Sequence, residues 1–304
     1  MFNLSSVEAK RNTQPPRVII YGVPKIGKTT FAAQAHNPII IDLEGGSDNL
    51  EVARVERNQV RSLADILEVL RALYREDHNY KTVVLDSIDW LERILFEEVA
   101  RENGARAIDD FSVPGLRFGR GYTMAQNKLK EFLAAMDALR MHKGMSVILI
   151  CHSAVRKHDD PEEESFDHHT LKLNEKIKAI VQEWSDCILF ARQKVYVTTS
   201  TSGHGKEVKK GRSGNRVLHT QGCASYLAGN RYGLPEELPL DFKAFWQEFT
   251  ARTNYTHAAI QPAKAKTGKV VPITTTTTTP SMGTSPAAYQ NANGVYNHAE
   301  YLEL

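Results

Sequence analysis

Cysteine is scarce: Cys151, Cys187 and Cys223 are the only three in 304 residues, with no C-x-x-C pair and no histidine at finger spacing. That excludes a disulfide scaffold and argues against structural zinc, and an odd count without a leader points to a reducing, cytoplasmic setting. Long apolar runs are missing too. Ser146–Cys151 (SVILIC) has the length of a buried strand, far short of the roughly 18 residues a membrane helix needs. The opening MFNLSSVEAKRNTQPPR has no apolar signal segment, so neither a secreted nor a membrane protein is expected. Charge of one sign is also lacking, with 38 Lys+Arg against 36 Asp+Glu. A uniformly basic nucleic-acid coat is thereby excluded, although local patches are not.

Residues 251–304 lack any hydrophobic period and carry six consecutive threonines, so they read as a low-complexity, disordered tail. Its last residues, HAEYLEL, are either a docking motif or a solvated end. Residues 1–16 form an N-terminal extension, which leaves 17–250 as one folded domain. Within it, short Ile/Val-rich runs alternate with helical patterns. RVIIY at 17–21, PIIIDL at 38–43, TVVL at 82–85, SVILIC at 146–151 and Ile188–Ala191 read as strands. Ser62–Arg75, Trp90–Asn103 and Met124–His142 read as helices, the first with Ser62 and Asp65 as a capping box. Strands without polar alternation are buried on both faces. The expected fold is therefore α/β, a mainly parallel sheet sandwiched by helices.

The strongest chemical signal is Gly22-Val23-Pro24-Lys25-Ile26-Gly27-Lys28-Thr29, followed by Thr30, which fits G-x-x-x-x-G-K-[ST] between a strand and a helix. The two glycines let the chain curl so that successive N–H groups point at a phosphate, and the helix N-terminus adds partial positive charge. Lys28 then reaches the β- and γ-phosphates, and the Thr29 hydroxyl ligates Mg²⁺. Asp86, closing the strand TVVLD, is the second metal-orienting group. A carboxylate must also polarise the attacking water. Glu44 is favoured because it follows a buried strand and precedes Gly45 and Gly46, with Asp89 as the alternative. Asp42 would share Glu44's face if the strand continued. His152, at the tip of the next strand, is either a sensor of the γ-phosphate or an ordinary surface histidine.

This order of P-loop, strand-Asp-x-Glu, strand-Asp-Ser and strand-end polar residue resembles the RecA-type recombinase core. More closely, it resembles a phage-encoded ATP-binding family that includes RecA-like single-strand annealing proteins. The likeness runs over about 17–250, through FGRGYTMA, CHSAVRKHDDP, LKLNEKIKAIVQEWSDCILFA and NRYGLPEELPL. It implies ATP and Mg²⁺ as ligands, Glu44 as the catalytic glutamate and Asp86 as the metal aspartate. His152 takes the place that RecA fills with glutamine. It further implies a DNA-stimulated ATPase in recombination or single-strand annealing. A homo-oligomer, single-stranded DNA and a single-strand-binding protein would be its partners, and a bacterial host cytoplasm its location. The alternative is a nucleotide-gated adaptor or loader with little turnover.

In that family, loops after the third and fourth strands face DNA. Here they fall at about 104–123, where Arg106, Arg117 and Arg120 interleave with Phe111, Phe118 and Tyr122, and at about 154–173. Guanidinium groups pair phosphates while rings stack on bases, so Arg117, Arg120 and Tyr122 are candidate contacts. The second loop is acidic through Asp159, Asp160, Glu162, Glu163, Glu164 and Asp167. Downstream, KVYVTT and RVLHT read as a β-hairpin with Lys209, Lys210, Arg212 and Arg216 at or near its tip. These cations serve the DNA backbone, a neighbouring subunit's ATP site or nothing beyond solvation. The acidic loop of one subunit could meet the basic hairpin of the next.

Overall fold

The computed structural model describes residues 14–158, 164–201 and 207–255. Its elements are β1 (Arg17–Gly22), α1 (Lys28–Ala33), β2 (Pro38–Asp42), β3 (Ala53–Val55), α2 (Leu63–Arg75), β4 (Thr82–Asp86) and α3 (Ile88–Glu102). A 3₁₀ turn at Pro114–Gly119 leads into α4 (Arg120–Lys143), β5 (Ser146–His158), β6 (Phe166–Leu171) and α5 (Glu175–Trp184). The chain continues through β7 (Cys187–Thr201), β8 (Glu207–His219), β9 (Gly229–Asn230), β10 (Glu237–Pro239) and α6 (Phe242–Thr253).

The sheet runs β10-β8-β7-β1-β5-β4-β2-β3. From β7 to β3 all neighbours are parallel, and β8 and β10 close one edge antiparallel. Alternate residues of each central strand go to opposite faces. Ile19, Tyr21, Ile41, Leu85 and Leu149 pack with the inner faces of α2, α3 and α4 in one buried cluster. Ile20, Ile40, Val84 and Ile148 pack with Phe31 of α1 and with Phe242, Phe245 and Phe249 of α6 in the other. The helix-covered parallel sheet expected of a P-loop NTPase core is what forms. The capping box also forms, Ser62 accepting from the Asp65 N–H and Asp65 accepting from that of Ser62.

The foot of the sheet is pinned by charge. Asp186, at the start of β7, accepts from Arg17 at 2.9 Å and 3.2 Å and from Arg140 at 3.2 Å. Burial opposes ionisation of Asp186, but the two guanidiniums outweigh it and hold its carboxyl below the usual range. Arg140 also donates to the Pro15 carbonyl, and the Pro16 carbonyl accepts from Val147. Residues 15–16 thus belong to the fold rather than to an extension, while residues 1–13 lie outside the described residues.

Three further expectations need correction. The tail does not begin at 251: α6 runs to Thr253, and Tyr255 is 2% exposed because Phe249 and Trp246 stack around it. Beyond Tyr255 the tail lies outside the described residues. Residues 154–173 are not an open loop. β5 continues past Cys151 and pairs antiparallel with β6 from Ser153↔Leu171 to His158↔Phe166. The acidic residues Asp159, Asp160, Glu162 and Glu163 lie outside the described residues. The 104–123 segment stops being a loop at Gly119, so Arg120 and Tyr122 are helical.

Candidate nucleotide site

The P-loop leaves β1 at Gly22, whose α-carbon lies so close to the Ala191 carbonyl of β7 that any β-carbon would collide. At the other end Gly27 has φ +117°, a conformation L side chains rarely adopt, and caps α1. Lys28 is only 5% exposed and turns back onto the loop, donating to the Gly22 carbonyl at 3.0 Å and the Val23 carbonyl at 3.1 Å. Burial lowers its pKa, against the pull of Asp86 and Glu44. Val23, Pro24, Lys25 and Thr30 are exposed and Ile26 is buried, so the loop presents its backbone outward over an apolar anchor.

Thr29 Oγ1 donates to Asp86 Oδ2 at 2.7 Å, joining the P-loop helix to the end of β4. Asp86 is pushed up to about 6, first by burial and then by the charges of Asp42 and Glu44, with the Thr29 bond and Lys28 opposing. A crowded carboxylate beside a hydroxyl is a hard-oxygen pair that a divalent cation relieves. Mg²⁺ is held by one or two such groups plus phosphate oxygens, and these residues fit it.

β2 ends at Asp42, so Asp42 and Glu44 do not share a strand face. Asp42 Oδ1 accepts from the N–H groups of Glu44 (3.1 Å), Gly45 (2.6 Å) and Gly46 (3.3 Å), and Oδ2 from Ser47. Although burial alone would raise its pKa, these bonds lower it and keep it ionised. The curl it imposes leaves Glu44 34% exposed at the rim of the site.

β5 lies between β1 and β4, pairing Gly22 with His152 and Asp86 with Ile150. His152 therefore stands between the phosphate loop and the metal carboxylate. Its Nδ1 is 2.9 Å from Asp89 Oδ2, its backbone N–H donates to Asp89 Oδ1 at 3.1 Å, and its Nε2 is 3.7 Å from Glu44 Oε1. Burial alone would raise the pKa of Asp89, but its bonds with His152 outweigh that and hold it below the usual carboxylate range.

Sequence reasoning did not foresee Arg216 in this place. A β-carbon on Gly27 would meet its Nη1 at 3.6 Å and Leu240 Cδ2 at 3.4 Å. The guanidinium stands beside its own chain's P-loop.

A family model described as an AAA domain matches residues 14–232. The chain belongs to the AAA domain family. No curated protein matches it. Membership makes this a nucleotide-binding ATPase domain, in accord with the P-loop, Thr29–Asp86 and Glu44 geometry. No helix among the described residues of this AAA domain is long and apolar enough to cross a membrane.

The remaining candidates are scattered. Arg117 stacks on Phe111 at 5.3 Å and donates to its carbonyl at 2.8 Å. Arg120 opens α4 and is exposed. Tyr122 is half-buried and packs edge-on against Phe96 at 5.4 Å. The rings that project are Phe118, 86% exposed, and Phe111, 62% exposed. In β8, Lys209, Lys210 and Arg212 pair in register with Thr199, Thr198 and Tyr196 of β7, far along the hairpin from the P-loop.

Proposed function

We propose that this AAA domain is an ATP-hydrolysing, RecA-like protein that acts on single-stranded DNA in recombination or single-strand annealing, as a homo-oligomer. The P-loop N–H groups receive the phosphates, and Lys28 exchanges its carbonyl partners for phosphate oxygens. Mg²⁺, when held by Thr29 and Asp86, neutralises charge on the transferred phosphoryl group. Glu44 takes the proton of the attacking water as the water's oxygen bonds to the γ-phosphorus and ADP leaves. Asp89 is committed to His152, which supports Glu44 rather than Asp89 as the base.

The DNA part rests on one observation. Phe118 holds φ +57°, ψ +32°, a strained conformation for a bulky residue, and projects into solvent while packing edge-on to Phe111 at 5.7 Å. With Arg117 on Phe111, this is an aromatic platform with a cation beside it, a form suited to stacking bases and pairing phosphate. A phage origin, a bacterial cytoplasm and a single-strand-binding protein as partner follow only from the family resemblance.

The test is ATPase activity with and without an oligo(dT) strand, on wild type and Lys28→Ala. Wild-type turnover that rises with DNA and vanishes in Lys28→Ala is expected. Unimpaired turnover in Lys28→Ala would refute the site. Negligible wild-type turnover under both conditions would instead indicate a nucleotide-gated adaptor or loader.

A further inference from the structure

At the β3 edge of the sheet, Arg57, Arg61 and Arg93 line one cavity of about 260 Å³ with Trp90, Leu43 and Glu97. The Cζ atoms of Arg57 and Arg93 lie 4.5 Å and 4.6 Å from the Trp90 ring centroid. Among the described residues none of these three guanidiniums forms an ion pair with a carboxylate. Glu97 lines the cavity without reaching one, and Asp65 is taken up by the N–H groups of Arg61 and Ser62. Three like charges are thus gathered with Glu97 in the same cavity and Asp65 beside Arg61, and two of the three are set against an indole.

Stacking fixes a guanidinium's plane while leaving its N–H edge open, so two arginines are oriented before any ligand arrives. Exposed cations offer a small anion little, because water screens each contact. A polyanion differs: each phosphate neutralised releases condensed counterions, and the gain accumulates along the strand. With guanidiniums against it, the Trp90 ring is occupied, so the cavity suits backbone phosphates rather than bases.

We propose that Arg57, Arg61, Arg93 and Trp90 form a second nucleic-acid contact, separate from the Phe118 platform, that holds the phosphodiester backbone of single-stranded DNA without regard to sequence. The ligand class rests on the DNA reading above. The contact adjoins the chemistry directly, since Leu43 precedes Glu44 and Trp90 follows Asp89. A strand held here bears on the two segments that carry Glu44 and the partner of His152.

The experiment titrates fluorescein-labelled oligo(dT) into the full chain at several salt concentrations, for wild type and for Arg57→Ala/Arg93→Ala. The double variant should bind at least tenfold more weakly. Its log–log salt slope should be shallower by roughly 1.4, two single-strand phosphate contacts fewer. DNA-free ATPase activity should stay at the wild-type level, which verifies folding. Equal affinity and slope in the two proteins would overturn the site while leaving the DNA reading intact. No binding by wild type would overturn the DNA reading, and this ligand with it. If the double variant does not fold, the Trp90 fluorescence decides, taken as wild type minus Trp90→Phe. It should change when oligo(dT) is added, and an unchanged signal overturns the site.

Discussion

His152 is bound twice by Asp89, through Nδ1 to Oδ2 at 2.9 Å and through its backbone N–H to Oδ1 at 3.1 Å. A carboxylate only accepts, so the Nδ1 proton is on the histidine, and in the neutral ring the lone pair of Nε2 faces Glu44 Oε1 at 3.7 Å. That is too long for a direct hydrogen bond but short enough for each to feel the other's charge. The three side chains form one line at the tip of the sheet, with only the Glu44 end open to solvent.

Glu44→Gln should therefore bind ATP normally while kcat falls by about 10²-fold or more, the usual worth of a positioned general base. Asp89→Asn should cause a smaller fall in kcat with KM for ATP little changed, because it frees the ring without removing the base. Steady-state ATPase assays with nucleotide binding measured in parallel check both. Normal hydrolysis by Glu44→Gln would move the base elsewhere.

Asp86 sets a pH dependence of two opposite signs. Its folded pKa, about 6, lies above the ordinary aspartate value of 3.8. In the metal-free protein its contribution to stability is thus fully present below 3.8 and lost as pH rises through about 6. Mg²⁺ needs the carboxylate charged, so Mg²⁺-dependent ADP binding should weaken roughly tenfold per unit below about pH 6. Thermal melts with and without Mg²⁺–ADP, on wild type and Asp86→Asn, separate the two. Identical pH profiles for both proteins would count against this.

Because Arg216 stands beside Gly27 of its own chain, Arg216→Ala should weaken nucleotide binding or turnover in a way no neighbour repairs. Mixing Arg216→Ala with Lys28→Ala protein tests this. If the cation acts within its own chain, the mixture stays inactive, whereas recovery of ATPase would show action across a subunit interface.

Asp186→Ala should destabilise the fold by about 3–5 kcal/mol, since it strands two part-buried guanidiniums, Arg17 and Arg140, without their carboxylate. Urea unfolding measures it. A change under about 1 kcal/mol would mean that the cluster rearranges around another acid, with Asp137 the nearest to Arg17 at 3.3 Å.

The strands, the P-loop and the α2 capping box were legible because each is written in consecutive or near-consecutive residues. The Asp89–His152 pair was not, as its members are 63 residues apart and meet only because β5 is laid beside β4. Arg216 reaches Gly27 through the antiparallel return of β8, and the Arg57–Trp90–Arg93 stack joins a loop to a helix. The spacing of Tyr122 with Arg117 and Arg120 suits a loop, whereas a helix begins at Arg120 and sets the Tyr122 ring edge-on to Phe96. The pairing of β5 with β6 was hidden because an acidic run separates the two segments in the sequence.

β7 pairs with the P-loop strand at Ala191 and then runs on to Thr201, about 33 Å at strand rise. Its foot is clamped by the Asp186 cluster, and Arg216 on its partner strand stands at the level of the phosphate loop. A ribbon held this way is a pointer. A tilt of about 5° at the level of Arg216 would displace the described end of β7 by about 2 Å, simple lever geometry over the eight residue steps from Gln193 to Thr201. A small adjustment beside the phosphate loop would thus be larger at the far end of the strand than at Arg216, to the extent that the bulge between Gln193 and Val195 transmits it.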